Sequence, residues 1–156
     1  MGLLQPHVGY GDRDGQCPLR AKARKAFVVH HREHVMAALQ AASEAGAAIT
    51  LLSPPAAALS LGAAVFAAMI EDARLHYPGV DAVAVLDCAD RPGMALNALR
   101  HGVKAIRLAA SPEIISKINE ITAQTESKLE LRDIPACDLN NVEDLLTSCR
   151  KWLQSQ

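Results

Sequence analysis

The densest group of polar residues in the chain runs from Asp87 to Gly93, directly after an apolar segment. Asp87 and Asp90 have the spacing to hold a divalent cation or to act as a general acid and base. Each also has a structural explanation, because Asp90 can cap a following helix and Asp87 can accept N–H groups of its own loop. We treat both as candidate catalytic residues, and we predict no metal ion.

Cys88 lies between these two acids, at the start of a predicted helix. A helix N-terminus can lower the pKa of a thiol and make it a nucleophile, so Cys88 is a third candidate catalytic residue. The alternative is that Cys88 is a small buried hydrophobic residue, as cysteine often is. Arg91 is assigned to ligand binding, with a solvated side chain as its alternative.

Three more polar side chains follow predicted strands: His30 after the first, Ser53 after the second and Ser111 after the fourth. Strand ends of parallel sheets bind ligands, and helix N-termini there direct N–H groups towards anions. We therefore assign these three residues to ligand binding. Ser111 precedes Pro112, which is also the pattern of a helix N-cap. The remaining histidines are expected at the surface or at helix ends: His7, His34, His76 and His101.

Known cofactor and hydrolase motifs are absent from the sequence. Neither G-x-G-x-x-G nor G-x-x-x-x-G-K-[ST] occurs after a predicted strand, which disfavours dinucleotide and P-loop sites. The G-x-S-x-G elbow of hydrolases is missing as well. No cofactor is therefore assigned.

The elements that position these residues are short aliphatic strands alternating with helices that end at Gly or Pro, a pattern typical of parallel sheets. We predict a three-layer doubly wound α/β domain, flavodoxin-like or Rossmann-like, with about five parallel strands; the strand order stays open. The third strand is expected at the centre and the fifth at an edge. The predicted strands cover residues 26–30, 48–52, 82–87, 104–109 and 129–134, with one helix over 60–76 and a last helix from about Asn140.

Length and composition limit the organisation and the partners of the chain. Its 156 residues predict one domain over residues 25–156 after a flexible arm over residues 1–24. A net charge of −1 and 3% aromatic residues disfavour nucleic acid. The sequence contains no run of ~18 apolar residues, so we predict no membrane span. Alanine-rich helices bury little area each, so we expect a homo-oligomer.

Cysteine usage points to a reducing compartment. The four cysteines form no C-x-x-C pair, which argues against a zinc site and a disulfide framework. We therefore predict a cytoplasmic protein.

The layout over residues 26–154 resembles that of response-regulator receiver domains in two places. Asp87 ends the third strand and Ser111 follows the fourth, as the phosphorylated aspartate and a hydroxyl residue do there. The chain departs from that family at the first strand, where His30 and His31 replace an acidic pair. It departs again after the fifth strand, where Arg132 stands instead of lysine. The resemblance thus implies a shared architecture without phosphorylation at Asp87.

Three functions fit these patterns. The first is a binding or regulatory domain that recognises a small polar or anionic ligand at the strand ends around residues 87–92. The second is an enzyme acting on a small metabolite, with Asp87 or Asp90 as acid, base or metal ligand. The third is a structural or protein-interaction module whose alanine-rich helices form the interface.

Overall fold

The computed structural model describes residues 24–156. The predicted flexible arm lies outside these residues except for Arg24, and so do His7 and Cys17. The elements in chain order are β1 Lys25–Val28, α1 Arg32–Ala45, β2 Ile49–Leu52, α2 Ala57–Ser60, α3 Ala63–Arg74, β3 Ala82–Asp87, α4 Pro92–Arg100, β4 Ala105–Arg107, α5 Pro112–Gln124, β5 Lys128–Leu129, β6 Ala136–Asp138 and α6 Leu145–Gln154.

The six strands of residues 24–156 pair in parallel in one sheet with the order β5-β4-β3-β2-β1-β6. The predicted α/β class on a parallel sheet, flavodoxin-like or Rossmann-like, is confirmed. The predicted central strand, β3, is one of the two middle strands and has the predicted bounds. Strands β1 to β5 follow one another across the sheet, and only β6 lies on the other side of β1.

The larger core lies between the sheet and a row of helices. Contacts join the helices in the order α6, α1, α3, α4 and α5. Right-handed crossovers between consecutive neighbouring strands place their helices on one face, which explains this row. Its largest fully buried side chains include Phe27, Phe66, Leu39, Ile49 and Leu86.

A second, smaller core covers the opposite face of the sheet, which we call the second face. Side chains alternate along a strand, so Ala26, Leu52, Val85 and Ala105 project to this face. The connection from β5 to β6, residues 130–135, packs Ile134 against them. It links opposite edges of the sheet, about five strand spacings or ~24 Å apart, which a nearly extended chain of this length spans.

The strand predicted over residues 129–134 is wrong beyond Leu129, because the chain leaves the sheet there. The backbone N–H and the guanidinium of Arg132 donate to the Glu130 carboxylate at 2.9–3.0 Å, so side-chain contacts replace strand pairing. Strand β6 was not predicted. Its three residues, Ala136–Asp138, are too few to show an alternating pattern.

Two helix predictions also need correction. The helix predicted over residues 60–76 is interrupted at Gly62, whose φ of 91° is incompatible with a continuous helix. The last helix begins at Leu145, after the N-cap Asp144, and not near Asn140. Asp144 accepts the N–H of Thr147 at 3.1 Å, a capping bond that fixes this later start.

Between Arg24 and Gln156, no helix combines the length and apolar character needed to cross a membrane.

Candidate functional site

The loops after the strands meet along the carboxyl edge of the sheet, where backbone hydrogen bonds tie neighbouring loops together. The N–H of Ser53 donates to the carbonyl of Val85 at 3.0 Å, and that of Ala109 donates to the carbonyl of Ala89 at 2.8 Å. Most of the residues predicted from strand ends therefore belong to one connected edge.

Asp87 fastens two of these loops. Its Oδ1 accepts the N–H of Ala89 at 2.8 Å and that of Ala56 at 3.2 Å. Both alanines have left-handed backbone, with φ of 52° and 58°. This conformation costs a residue with a Cβ about 1–2 kcal/mol, so the carboxylate stabilises strained backbone. These bonds favour the structural explanation of Asp87 that the sequence left open.

Ser53 is buried beside Asp87, with only 7% of its surface exposed. Its Oγ accepts the N–H of Asp87 at 2.9 Å and donates to the carbonyl of Pro54 at 3.0 Å. The hydroxyl proton is thus already used inside the protein. Ser53 holds the ends of β2 and β3 together.

Asp90 and Arg91 form an exposed rim next to Asp87. Their side chains are 79% and 63% exposed, and Arg91 Nε lies 3.4 Å from Asp90 Oδ1. Arg91 is the N-cap of α4 without a side-chain capping bond, so Asp90 is not the N-cap that the sequence suggested. Both charged groups are accessible to a solute.

Cys88 is fully buried under this loop. Burial, and secondarily the charge of Asp87, raise the pKa of its thiol to about 11. A thiol of this kind stays protonated at neutral pH and is a poor nucleophile. The structure therefore favours the alternative of a small buried hydrophobe.

His30 pairs with Asp138 at the other end of the same edge. His30 Nε2 lies 2.7 Å from Asp138 Oδ1, and the two side chains are 25% and 58% exposed. Burial raises the pKa of Asp138, but hydrogen bonds from the N–H of Asn140 and from His30 outweigh it and hold this pKa below its ordinary value. The carboxylate is thus ionised at neutral pH and accepts the proton of Nε2. The pairing leaves Nδ1 of His30 as the ring nitrogen for another partner.

Two further imidazoles surround His30. His34 is 3% exposed, its Nδ1 accepts the N–H of His30 at 3.1 Å, and its ring centroid lies 3.7 Å from that of His31. Burial, and then the charges of His31 and His30, lower the pKa of His34, so its ring is neutral. His34 is therefore not at the surface, but it lies in the first turn of α1, the helix-end position that the sequence also allowed. Its position four residues after His30 brings it back over the start of α1.

Ser111 serves α5 as its N-cap. Its Oγ accepts the N–H of Ile114 at 3.4 Å, which agrees with the capping pattern Ser-Pro-Glu in the sequence. This capping bond gives Ser111 a structural role, and its assignment to ligand binding stays a prediction.

The structure places His30 and Asp87 at comparable levels of the carboxyl edge. Each lies two residues beyond paired positions, Val28 on β1 and Val85 on β3, with Leu52 of β2 between them. Two strand spacings separate them, or ~10 Å. His30 is thus the polar side chain positioned by a partner, and Asp87 stabilises the loops beside it.

Sequence reasoning counted Asp138 only among the polar residues at the strand ends and did not pair it with His30. The missed strand β6 explains this, since only its pairing with β1 brings Asp138 level with Val28. The small polar turn that follows, Asn140 and Asn141, was the one signal in the sequence that a strand ended there.

Over residues 24–156, no group of three or more His, Cys, Asp or Glu side chains is arranged to hold a metal ion. Comparison of the chain with protein-family models and with curated proteins finds no match.

Proposed function

We propose that this domain binds a small polar or anionic ligand at the carboxyl edge of its sheet, with His30 as the principal contact. The observation that carries the proposal is the 2.7 Å hydrogen bond from His30 Nε2 to Asp138 Oδ1. It holds a partly exposed imidazole in one orientation, at the edge where parallel sheets bind ligands. An oriented side chain loses less entropy on binding than a free one.

The surroundings of His30 support an anion in particular. Helix α1 begins next to it. Its N-cap His31 makes no side-chain capping bond, and Glu33 in its first turn contributes one carboxylate, which lies 2.7 Å from His31 Nδ1. The dipole of this helix favours negative charge at that end. Arg91 adds an exposed guanidinium farther along the edge, and the loop fastened by Asp87 holds its backbone in place.

Thermal unfolding with added anions tests this proposal. Wild type, His30→Gln and His101→Gln are heated with phosphate, citrate, nucleotides or sugar phosphates. A ligand at a hundredfold excess over Kd raises stability by about 2.7 kcal/mol, which gives a clear shift in Tm. We expect an anion to shift wild type and the exposed control His101→Gln, but not His30→Gln.

An anion that stabilises His30→Gln as much as wild type contradicts the assignment. The absence of any shift in wild type contradicts the function itself.

A second candidate, an enzyme acting on a small metabolite, is favoured by the same contact between His30 and Asp138. A carboxylate that holds an imidazole in one tautomer is the arrangement of a general base. Asp138 and His30 fit this role better than Asp87, whose Oδ1 is bound by two loops. Any anion found by thermal unfolding is incubated with the protein and followed by NMR. Conversion by wild type that is lost in Asp138→Asn supports the enzyme, and an unchanged ligand supports the binding domain.

We further propose that the domain is a cytoplasmic homo-oligomer. Exposed apolar side chains along α2 and α3 support an interface: Leu59 is 44%, Val65 53% and Leu75 77% exposed. The cysteines of the described chain, Cys88, Cys137 and Cys149, are all free thiols, which suits a reducing compartment. Light scattering of wild type and Val65→Lys tests the interface. A smaller particle for the variant supports it, and a monomeric wild type contradicts it.

A further inference from the structure

A cavity of about 580 Å³ opens on the second face of the sheet, away from His30. Its floor is formed by Thr50, Val83 and Val85, and Ile134 and Pro135 of the β5–β6 connection form one wall. Its volume lies within the range of about 300–1,000 Å³ that small-molecule sites occupy.

The rim of this cavity is cationic. The charged residues among its described lining are Arg24, Lys25, Lys128, Arg132, Glu130 and Asp133, four positive and two negative. Glu130 is bound by Arg132 at 2.9 Å, so this acid is already neutralised within the protein. Arg24 is likewise paired, with Asp81 at 2.7 Å, so the charges left at the rim are Lys25 and Lys128 against Asp133. The cavity thus combines an aliphatic floor with a rim that carries a small positive excess.

Thr50 gives the floor a polar contact. It is 6% exposed, and within the described chain its hydroxyl makes no hydrogen bond. Ser53, the residue that follows the same strand, uses its hydroxyl both as donor and as acceptor. The Thr50 hydroxyl is not among the described buried polar atoms that lack a partner, so it is open to the cavity and can donate a hydrogen bond to a polar atom of a ligand there.

We propose that this cavity binds a small organic carboxylate with an apolar body. The apolar part lies on Val83, Val85 and Ile134. The carboxylate accepts a hydrogen bond from the Thr50 hydroxyl and lies within reach of the cationic rim. The site is separate from the carboxyl edge and does not depend on the function proposed for it.

Calorimetric titration of the full chain with octanoate tests this site, with octylamine and octan-1-ol as analogues of equal length. We expect saturable binding of one octanoate per chain. Octylamine is expected to bind at least about tenfold more weakly, because the positive rim repels its ammonium group. Thr50→Val removes the hydroxyl with little change in shape and is expected to weaken octanoate binding roughly tenfold. Thr50→Ser restores it.

Three controls keep the result interpretable. Lys128→Gln is expected to weaken binding and to reduce its salt dependence, whereas Lys117→Gln, on the exposed side of α5, leaves it unchanged. His30→Gln also leaves octanoate binding unchanged, which separates this site from the carboxyl edge. The proposal is overturned if octanoate does not saturate, if octylamine binds equally well, or if folded Thr50→Val binds like wild type.

Discussion

Asp87 has the side chain of a catalytic acid or base, but its carboxylate stabilises the fold. Its position after an apolar strand and before a polar loop is what a catalytic acid or a phosphorylated aspartate would show. The carboxylate instead accepts two backbone N–H groups, from Ala56 and Ala89, both in left-handed conformation. A loop with strained residues needs such an acceptor, and strain of this kind occurs at functional sites as well as in tight turns.

We predict that Asp87→Ala lowers the free energy of unfolding by about 2–3 kcal/mol, because two backbone donors lose a charged acceptor. Asp90→Ala is the matched control. Its side chain is 79% exposed and fastens no loop, so we expect a change within about 0.5 kcal/mol. Urea unfolding followed by circular dichroism measures both. Equal destabilisation of the two variants would show that the Asp87 bonds do not stabilise the loops.

Cys88 leads to a prediction about reactivity. With a pKa of about 11, only about a thousandth of this thiol is ionised at pH 8. We therefore expect iodoacetamide to modify Cys88 in the native protein far more slowly than it modifies a free thiol with a pKa of about 8.5. Peptide mass spectrometry after timed quenching measures the rate. Complete modification of Cys88 within the time of the free thiol would contradict its burial.

Among the elements, the connection from β5 to β6 departs most from expectation. Its sequence alternates apolar and charged residues, which predicted a strand at the sheet edge. The N–H of Glu130 makes a last bond to β4, at the carbonyl of Ile106 (2.8 Å), and the Glu130 carboxylate then accepts from Arg132 as the chain leaves the sheet. The residue is 4% exposed, so this carboxylate is buried next to a mostly exposed guanidinium.

This buried pair predicts a pH dependence of stability. Hydrogen bonds from Arg132 hold the pKa of Glu130 below its ordinary value, although burial acts in the opposite direction. A carboxyl whose pKa is lower in the folded state stabilises the protein above its unfolded pKa of about 4.3, and the stabilisation is lost as the pH falls through the folded pKa.

We expect wild type to lose stability below about pH 5, and Glu130→Gln to lose less over the same interval. Urea midpoints at pH 7, 5, 4 and 3.5 measure the difference. Glu113→Gln, in the exposed first turn of α5, serves as the control. Parallel curves for wild type and Glu130→Gln would rule out this pair as the source of the acid sensitivity.

At the scale of the whole molecule, the C-terminal helix completes the fold by joining the first strand. Trp152 Nε1 donates to the carbonyl of Ala26 at 2.9 Å, and Lys25 Nζ lies 4.7 Å from the centre of its ring. Helix α6 also packs on α1 at the end of the helix row. The last residues of the described chain are thus tied to its first residues.

Trp152→Phe is therefore expected to lower the free energy of unfolding by about 1–2 kcal/mol, through one lost hydrogen bond and some lost packing. Lys151→Gln, exposed on the same helix, is expected to change little. Since Trp152 is the one tryptophan of the chain, its fluorescence and far-UV circular dichroism should report the same unfolding transition in wild type. A fluorescence transition at lower urea would show that α6 separates before the rest unfolds.

The sequence by itself determined the class of the fold. The apolar run of β3, the Ser-Pro-Glu start of α5 and the glycine ends of the helices are local signals, and they depend on interactions within a few residues. They predicted a parallel α/β domain and placed β3 correctly. The same signals identified the edge of the sheet where polar side chains gather.

Only the tertiary structure decided which of those side chains meet. His30 and Asp138 are 108 positions apart, and their contact depends on a three-residue strand that pairs beside β1. The burial of Cys88 and His34 and the two-loop contact of Asp87 depend in the same way on distant segments. Strand order and crossing connections set these distances, and local patterns do not encode them, because long-range pairing is fixed by how whole elements pack.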